Sequence, residues 1–214
     1  IHASMIIIPE MFNKTQITID KIVRLIISSM IKRRIVGQKF GVVVVGEGIF
    51  HFLQDEDIAS SGITFDYDAH GHPELSEVSK AHVISKILKN RLKELNLDII
   101  CRPVEVGYSL RCVDPSAFDL TYCTTLGIGV KKLYDEGHSG CMVAVNLEEE
   151  VIPVYLKDVE DEHGKIRTRL VNIDKEVVRQ TLAENIYYLT AQDRSLARKW
   201  LADPEPFEYE RILG

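Results

Sequence analysis

The chain has 214 residues, 45% of them hydrophobic and 27% charged, which is the composition of an ordinary globular protein. Its net charge of −6 disfavours a nucleic-acid-binding protein, and no apolar run reaches the roughly 18 residues that a membrane span needs. We therefore expect a cytoplasmic protein without nucleic-acid or membrane partners. The chain opens without Met and almost directly in an apolar segment, so we also expect further sequence upstream.

The first fifty residues predict a strand, a helix and a second strand. Met5 to Ile8 form a short apolar run that Pro9 ends. Residues 15–36 place apolar side chains at i, i+3 and i+4 spacing, which predicts an amphipathic helix that ends at Gly37. Four consecutive valines at 42–45 predict a strand buried on both faces, as in a parallel sheet covered by helices.

The middle of the chain continues this alternation. Residues 51–73 are polar and rich in turn formers, which predicts a long surface loop, and residues 74–95 predict a second amphipathic helix. The apolar segment 98–106 predicts a further strand. A third helix should follow, with Asp114 as its N-cap and Gly137 just beyond its end.

The last third of the chain predicts a strand, a turn and a second strand over 141–157. A long helix over 174–189 and a short helical tail near Trp200 should follow. Strands that alternate with helices predict an α/β fold with a doubly wound, Rossmann-like parallel sheet and helices on both faces. Ligands of such folds bind outside the carboxyl ends of the strands.

That rule directs attention first to Gly46-Glu47-Gly48, directly after the valine strand. Flanking glycines allow the backbone to approach a ligand closely, and the carboxylate of Glu47 can accept hydrogen bonds from sugar hydroxyls. A role for Glu47 in a turn or in capping a helix is equally compatible with the sequence.

A second candidate is the stretch RPVEVGYSLRCVD, which contains Arg102, Tyr108 and Arg111. Guanidinium groups suit phosphate oxygens, and a phenol adds a neutral donor. Alternatively, Arg111 pairs with Asp114 or Asp119 and Arg102 lies at the surface end of a strand. The pattern by itself predicts a phosphate or carboxylate site on an α/β sheet.

The cysteines and histidines do not suggest a metal site. The four cysteines lack CxxC spacing, so we expect reduced thiols that pack in a cytosolic protein. The His-Gly-His sequence at 70–72 has no carboxylate or thiol partner at ligand spacing, which favours a polar turn.

The order of motifs resembles the C-terminal half of the phosphofructokinase family over residues 1–147. The matching motifs are IIIPE, VVVVGEG, GYSLRCVDPSAFD, DEGHSG and GCMVAVN. Gly-Tyr-x-x-Arg before Pro-Ser-x-Phe-Asp is most similar to the pyrophosphate-dependent and related branches. The bacterial ATP-dependent branch has His in place of Tyr108 and two glycines in place of Cys112 and Val113.

The resemblance implies phosphoryl transfer to O1 of fructose 6-phosphate, which gives fructose 1,6-bisphosphate in glycolysis. It implies that Arg111 and Tyr108 hold the 6-phosphate and that Glu47 binds sugar hydroxyls. Arg102 would reach the same phosphate, from the neighbouring subunit in family tetramers, so a homo-oligomer (dimer or tetramer) is expected. Glu10 matches a family glutamate, for which we expect only a structural role.

The parts of the family that perform the chemistry do not occur in this sequence. The glycine-rich donor loop, the metal-binding Asp, the Thr-Ile-Asp-Asn-Asp segment with the catalytic base and the Met-Gly-Arg segment precede the matching region. We therefore expect the catalytic base and the Mg²⁺ ligands outside this chain. Residues 1–147 would form an acceptor-binding lobe of a two-lobed fold, with 148–214 as a C-terminal extension packing on it.

Three questions stay open at this level. The phosphoryl donor could be pyrophosphate or ATP. The chain could instead belong to a non-catalytic regulatory subunit or paralogue that binds a sugar phosphate without turnover. An unrelated α/β protein with coincidental motifs is the third alternative.

Overall fold

The computed structural model describes residues 3–12, 15–54, 57, 79–107, 112–146, 148–160, 171–185 and 187–214, apart from the side chains of residues 47, 51 and 181–185. The chain forms two compact units. Unit 1 comprises Ile1–Glu105 and Val171–Gly214, and unit 2 comprises Val106–Leu170. Within the described ranges, no helix has both the length and the apolar character that crossing a bilayer would require.

The described residues form short strands and helices of four to nineteen residues. The strands are β1 (Met5–Ile7), β2 (Val43–Val45), β3 (Cys141–Val145) and β4 (Val151–Tyr155). The helices are α1 (Ile19–Ile35), α2 (Lys80–Glu94), α3 (Ala117–Asp135), α4 (Leu156–Val159), α5 (Glu176–Asn185), α6 (Arg194–Ala197) and α7 (Tyr209–Leu213).

Unit 1 contains the predicted strand–helix–strand unit. β1 and β2 pair in parallel, with Met5 opposite Val43 and Ile7 opposite Val45, and α1 connects them. The expectation that the valine strand is buried on both faces is wrong, because Val44 is 39% exposed. Side chains alternate across a strand, and only one face of this pair is covered in the described residues.

α1 is the centre of the core of unit 1. Its first turn is capped by the Thr18 hydroxyl, which accepts a hydrogen bond from Lys21 N (3.2 Å), and it ends before Gly37, whose φ is +82°. The predicted helix is therefore confirmed, with a start four residues later than expected. The helix is buried on most sides because other elements of unit 1 pack around it. Its most buried apolar residues are Ile22, Val23, Leu25, Ile26, Ile27 and Ile31.

The C-terminal segment of unit 1 packs on α1. Tyr187 N donates to Ser4 O (2.9 Å), and Leu189 N donates to the Ser28 hydroxyl (2.8 Å). Lys32 of α1 forms an ion pair with Asp193 (2.8 Å). The helix predicted over 174–189 is shorter than expected, because the chain beyond residue 186 makes these contacts rather than continuing α5.

Unit 2 is a helix packed on a β-hairpin. β3 and β4 pair antiparallel, which confirms the predicted strand–turn–strand. α3 lies so close to the hairpin that a Cβ on Gly129 would stand 2.7 Å from Val143 Cγ1. The expected N-cap Asp114 is wrong: Ser116 caps α3 and forms a reciprocal capping box with Asp119.

The strand predicted over 98–106 is also wrong, since these residues pair with no strand in the described part of the chain. The two-residue period is present: Ile100, Arg102 and Val104 are exposed, and Ile99, Cys101 and Pro103 are half-buried. A strand also needs a partner edge. The chain is thus a mixed helix and strand structure with a small parallel sheet, and a doubly wound sheet is not confirmed.

Candidate functional site

The carboxyl edge of the β1–β2 pair carries two short 3₁₀ turns. One turn, Pro9–Phe12, follows β1, and the other, Glu47–Phe52, follows β2. Because the strands are parallel, Glu10 and Glu47 both lie at this edge. The turns are anchored by buried apolar side chains, namely Met11, Phe12, Ile49 and Phe50. We call this region the carboxyl edge.

Among the described residues, nothing prevents a side chain at either of the two glycines of the carboxyl edge. Gly46 N donates to Ile7 O (2.8 Å), which extends the ladder by one bond. A Cβ on Gly46 would stand 3.4 Å from Ile7 O, and one on Gly48 would stand 3.9 Å from Pro9 Cγ. Both are ordinary contacts, and neither glycine has a positive φ. Glycines at these positions would also allow a ligand to approach the backbone closely.

The two glutamates of this edge differ in what the structure shows. The Glu10 carboxylate accepts a hydrogen bond from Val171 N (3.0 Å), a structural contact of the expected kind. Glu47 is the first residue of its turn, and Gly46 occupies the N-cap position, so Glu47 is not the cap. The side chain of Glu47 lies outside what is described.

Arg102 is exposed on unit 1, just beyond Cys101, which is half-buried against the core. No carboxylate of the described residues pairs with Arg102. Burial raises the pKa of the Cys101 thiol, with the Lys89 ammonium acting in the opposite direction. The raised pKa favours the protonated thiol of Cys101 near neutral pH.

Tyr108 and Arg111 lie outside the described residues. That they lie close to Glu47 or Arg102 therefore stays a prediction. One alternative partner of Arg111 can be assessed. Asp119 Oδ2 accepts hydrogen bonds from Ser116 N (2.8 Å) and from the Ser116 hydroxyl (2.6 Å), and these bonds lower the pKa of Asp119. This carboxylate already serves the capping box. The Ser-x-x-Asp spacing in the sequence is the signal for that box.

The thiols and possible metal ligands are dispersed. All four cysteines are free, as predicted, but Cys112 and Cys123 are exposed rather than packed. Among the described side chains, no three of His, Cys, Asp or Glu are grouped so as to hold a metal ion. The His-Gly-His sequence at 70–72 lies outside the described residues.

Comparison with curated proteins shows which proteins this chain resembles over most of its length. The chain is 31% identical to a pyrophosphate–fructose 6-phosphate 1-phosphotransferase of Naegleria fowleri, over 79% of this chain and 41% of that protein. It is 29% identical to the protein of the same name from Thermotoga maritima, over 95% of this chain and 47% of that protein. A beta subunit of that name from Arabidopsis thaliana is 21% identical over 78% of this chain.

No protein-family model matches the chain. The chain spans less than half of the length of each of these relatives. The shared stretch nevertheless covers most of this chain. The resemblance to the phosphofructokinase family is thus confirmed: over most of its length, this chain is homologous to pyrophosphate–fructose 6-phosphate 1-phosphotransferases.

Proposed function

We propose that this chain provides the fructose 6-phosphate side of a pyrophosphate-dependent 6-phosphofructokinase. The observation that carries the proposal is the similarity, over 95% of this chain, to a relative named for that activity. The reaction would transfer a phosphoryl group from pyrophosphate to O1 of fructose 6-phosphate, as a cytoplasmic step of glycolysis. ATP as the donor is the alternative, and an assay of the complete polypeptide with each donor distinguishes the two.

In this proposal, Arg111 and Tyr108 hold the 6-phosphate, and Glu47 accepts hydrogen bonds from sugar hydroxyls. Arg102 reaches the 6-phosphate of a neighbouring subunit in a homodimer or homotetramer. Two observations support these roles. Arg102 is exposed without a carboxylate partner in the described residues, and a Cβ on Gly46 or Gly48 would make only ordinary contacts with the described atoms.

The donor-binding loop, the catalytic base and the Mg²⁺ ligands would lie outside this chain, in the remainder of a two-lobed polypeptide. The described residues do not group a metal-ligand set, so we assign no metal to this chain. Mg²⁺ would neutralise charge on the transferred phosphoryl group. The chain itself would bind and orient the sugar phosphate, and a doubly wound sheet would form if further strands extend the β1–β2 pair.

A regulatory subunit that binds a sugar phosphate without turnover is the competing function. The names of the relatives do not favour it, because they describe phosphotransferases. Catalysis by the complete polypeptide distinguishes the two functions: a purified homo-oligomer that forms no fructose 1,6-bisphosphate with either donor would indicate the regulatory function.

The acceptor site is tested by Arg111→Ala in the complete polypeptide. The variant loses one member of a desolvated charge pair, which costs about 2–4 kcal/mol, or roughly 30- to 1000-fold in apparent affinity for fructose 6-phosphate. The apparent affinity for pyrophosphate should change little. Arg179→Ala is a matched control, because Arg179 is an exposed arginine paired with Glu176 on α5. An unchanged affinity for the sugar phosphate in Arg111→Ala would exclude Arg111 from the site.

A further inference from the structure

A groove on unit 1 lies along the C-terminal half of α2 and the residues that follow it. Its volume is about 320 Å³. Its polar lining consists of Lys86, Lys89, Asn90, Lys93 and Asp98, and Leu92, Leu97 and Ile99 provide the aliphatic part. We call it the lysine groove.

Three lysines dominate the charge of this groove. Lys86, Lys89 and Lys93 are exposed on one face of α2, at i, i+3 and i+7. No carboxylate pairs with any of them in the part of the chain that is described, although Asp98 also lines the groove. Like charges at these spacings destabilise a helix, and the chain as a whole has a net charge of −6.

The dipole at the C-terminal end of α2 does not account for all three lysines. Cations within the last turn of a helix are favoured by its dipole, which explains Lys93. Lys86 lies more than two turns before the end of α2 at Glu94, beyond the range of that effect. In the described part of the chain, neither an ion pair nor the helix dipole accounts for Lys86.

The lysine groove lies away from the carboxyl edge. Arg34, at the C-terminal end of α1, donates to Asp98 O (2.9 Å), just beyond the C-terminal end of α2. Both helices thus end on the same side of unit 1. Since α1 begins after the carboxyl end of β1, that side is opposite to the edge that carries Gly46 and Glu47.

We propose that the lysine groove binds a small organic phosphate. The ammonium groups of Lys86, Lys89 and Lys93 bind the phosphate oxygens, and the Asn90 amide adds a neutral donor. The lysine stems, together with Leu97 and Ile99, contact the apolar part of the ligand. This site is independent of the proposed function.

The test follows individual lysines by NMR. Reductive methylation of the 214-residue chain with ¹³C-formaldehyde gives each lysine its own resonance and keeps its charge; single Lys→Arg variants assign them. The probe is phenyl phosphate, titrated at constant ionic strength. We expect the resonances of Lys86, Lys89 and Lys93 to saturate together with one dissociation constant. The resonances of Lys131 and Lys132, exposed lysines of α3, should change little and without saturation.

Two comparisons make the result decisive. Titration with inorganic phosphate should give weaker binding than phenyl phosphate; equal affinities would refute the apolar contact. The double variant Lys89→Gln/Lys93→Gln should lose saturation at Lys86, whereas Lys131→Gln/Lys132→Gln, which removes the same charge, should keep it. If all five lysines show the same unsaturated shifts in the unsubstituted chain, the charge only attracts anions in general and the groove is not a site.

Discussion

Ser28 and Ser29 are neighbours on α1, and both are buried, yet their hydroxyl groups differ in function. The Ser28 hydroxyl accepts a hydrogen bond from Leu189 N (2.8 Å) and so joins the C-terminal segment to α1. The Ser29 hydroxyl has no partner among the described residues. A buried polar group without a partner contributes nothing to offset its loss of hydration.

This difference predicts opposite outcomes for two adjacent substitutions. Ser28→Ala leaves the Leu189 N–H unpaired in the core and should lower the free energy of unfolding by about 1–3 kcal/mol. Ser29→Ala should change it by less than about 0.5 kcal/mol or increase it. Urea unfolding of the two variants, followed by circular dichroism, measures both. Equal losses would show that Ser28 does not hold the C-terminal segment.

Glu208 is almost fully buried, and both of its carboxylate oxygens accept hydrogen bonds from Arg194. Those bonds hold the pKa of Glu208 below its usual value. A carboxyl group with a depressed folded-state pKa stabilises the fold above its unfolded pKa of about 4.3, and this contribution is lost as the pH falls through the folded-state pKa.

Arg194→Ala should therefore lower the thermal midpoint strongly at pH 7, because it leaves a buried carboxylate unpaired. The difference from the unsubstituted protein should shrink below about pH 4, where Glu208 is protonated in the unfolded state. Arg179→Ala is the control: its pair with Glu176 is largely exposed and should matter little at any pH. If the decrease in the thermal midpoint of Arg194→Ala does not depend on pH, this result would contradict the role of the ion pair between Arg194 and Glu208.

At the scale of elements, the sequence predicts the existence of helices better than their ends. The apolar spacing predicts α1 from about Thr15, whereas it begins after Thr18; α3 is predicted after Asp114 and begins after Ser116. In both cases two capping residues lie within a few positions, and the choice depends on which side chain reaches a free backbone N–H. The prediction of a strand over 98–106 is wrong for another reason: a strand needs a partner strand, which can lie far away in the sequence.

For the candidate site too, some features follow from the local sequence and others depend on tertiary structure. The position of Glu47 at the carboxyl edge follows from an apolar strand and the Gly-Glu-Gly sequence after it, which is local information. Arg102 is exposed and has no carboxylate partner in the described residues. Both properties depend on tertiary packing, which the sequence alone does not show. The approach of Tyr108 and Arg111 to either residue stays a prediction.

Substitution of alanine for each of the two glycines of α3 should have opposite effects on the stability of the chain. A Cβ on Gly129 would stand 2.7 Å from Val143 Cγ1 and 2.8 Å from Val151 Cγ1, whereas one on Gly127 meets nothing within 4 Å. Gly129→Ala should destabilise the chain by about 1–3 kcal/mol through overpacking. Gly127→Ala should stabilise it by up to about 1 kcal/mol through helix propensity.

The measurement is again urea unfolding, with both variants in the same 214-residue chain. Each variant is the control for the other, because both add one methyl group to the same helix. Destabilisation by Gly127→Ala would show that another part of the protein closely approaches this helix position. Tolerance of Gly129→Ala would show that α3 and the hairpin can separate without cost.

At the scale of the whole molecule, the chain corresponds to less than half of its phosphotransferase relatives. Under the proposed function it holds acceptor-binding groups without the catalytic base or the metal ligands. We therefore expect no formation of fructose 1,6-bisphosphate by the purified 214-residue chain with Mg²⁺ and either donor. The complete polypeptide under the same conditions is the positive control. Turnover by the chain alone at roughly 1–100 per second would place the catalytic residues within these 214 positions.

The arrangement of unit 1 has a consequence for protein synthesis. Unit 1 is discontinuous, because the segment of unit 2 is inserted between Glu105 and Val171. On the ribosome, α1 is made before the segment of unit 2, and the segment that covers α1 around Leu189 is made after it. At the usual 5–20 residues per second, the interval from Ile35, the end of α1, to Leu189 is roughly 8–31 s. During that time, the apolar surface of α1 that this segment will cover stays open to chaperones and to neighbouring nascent chains.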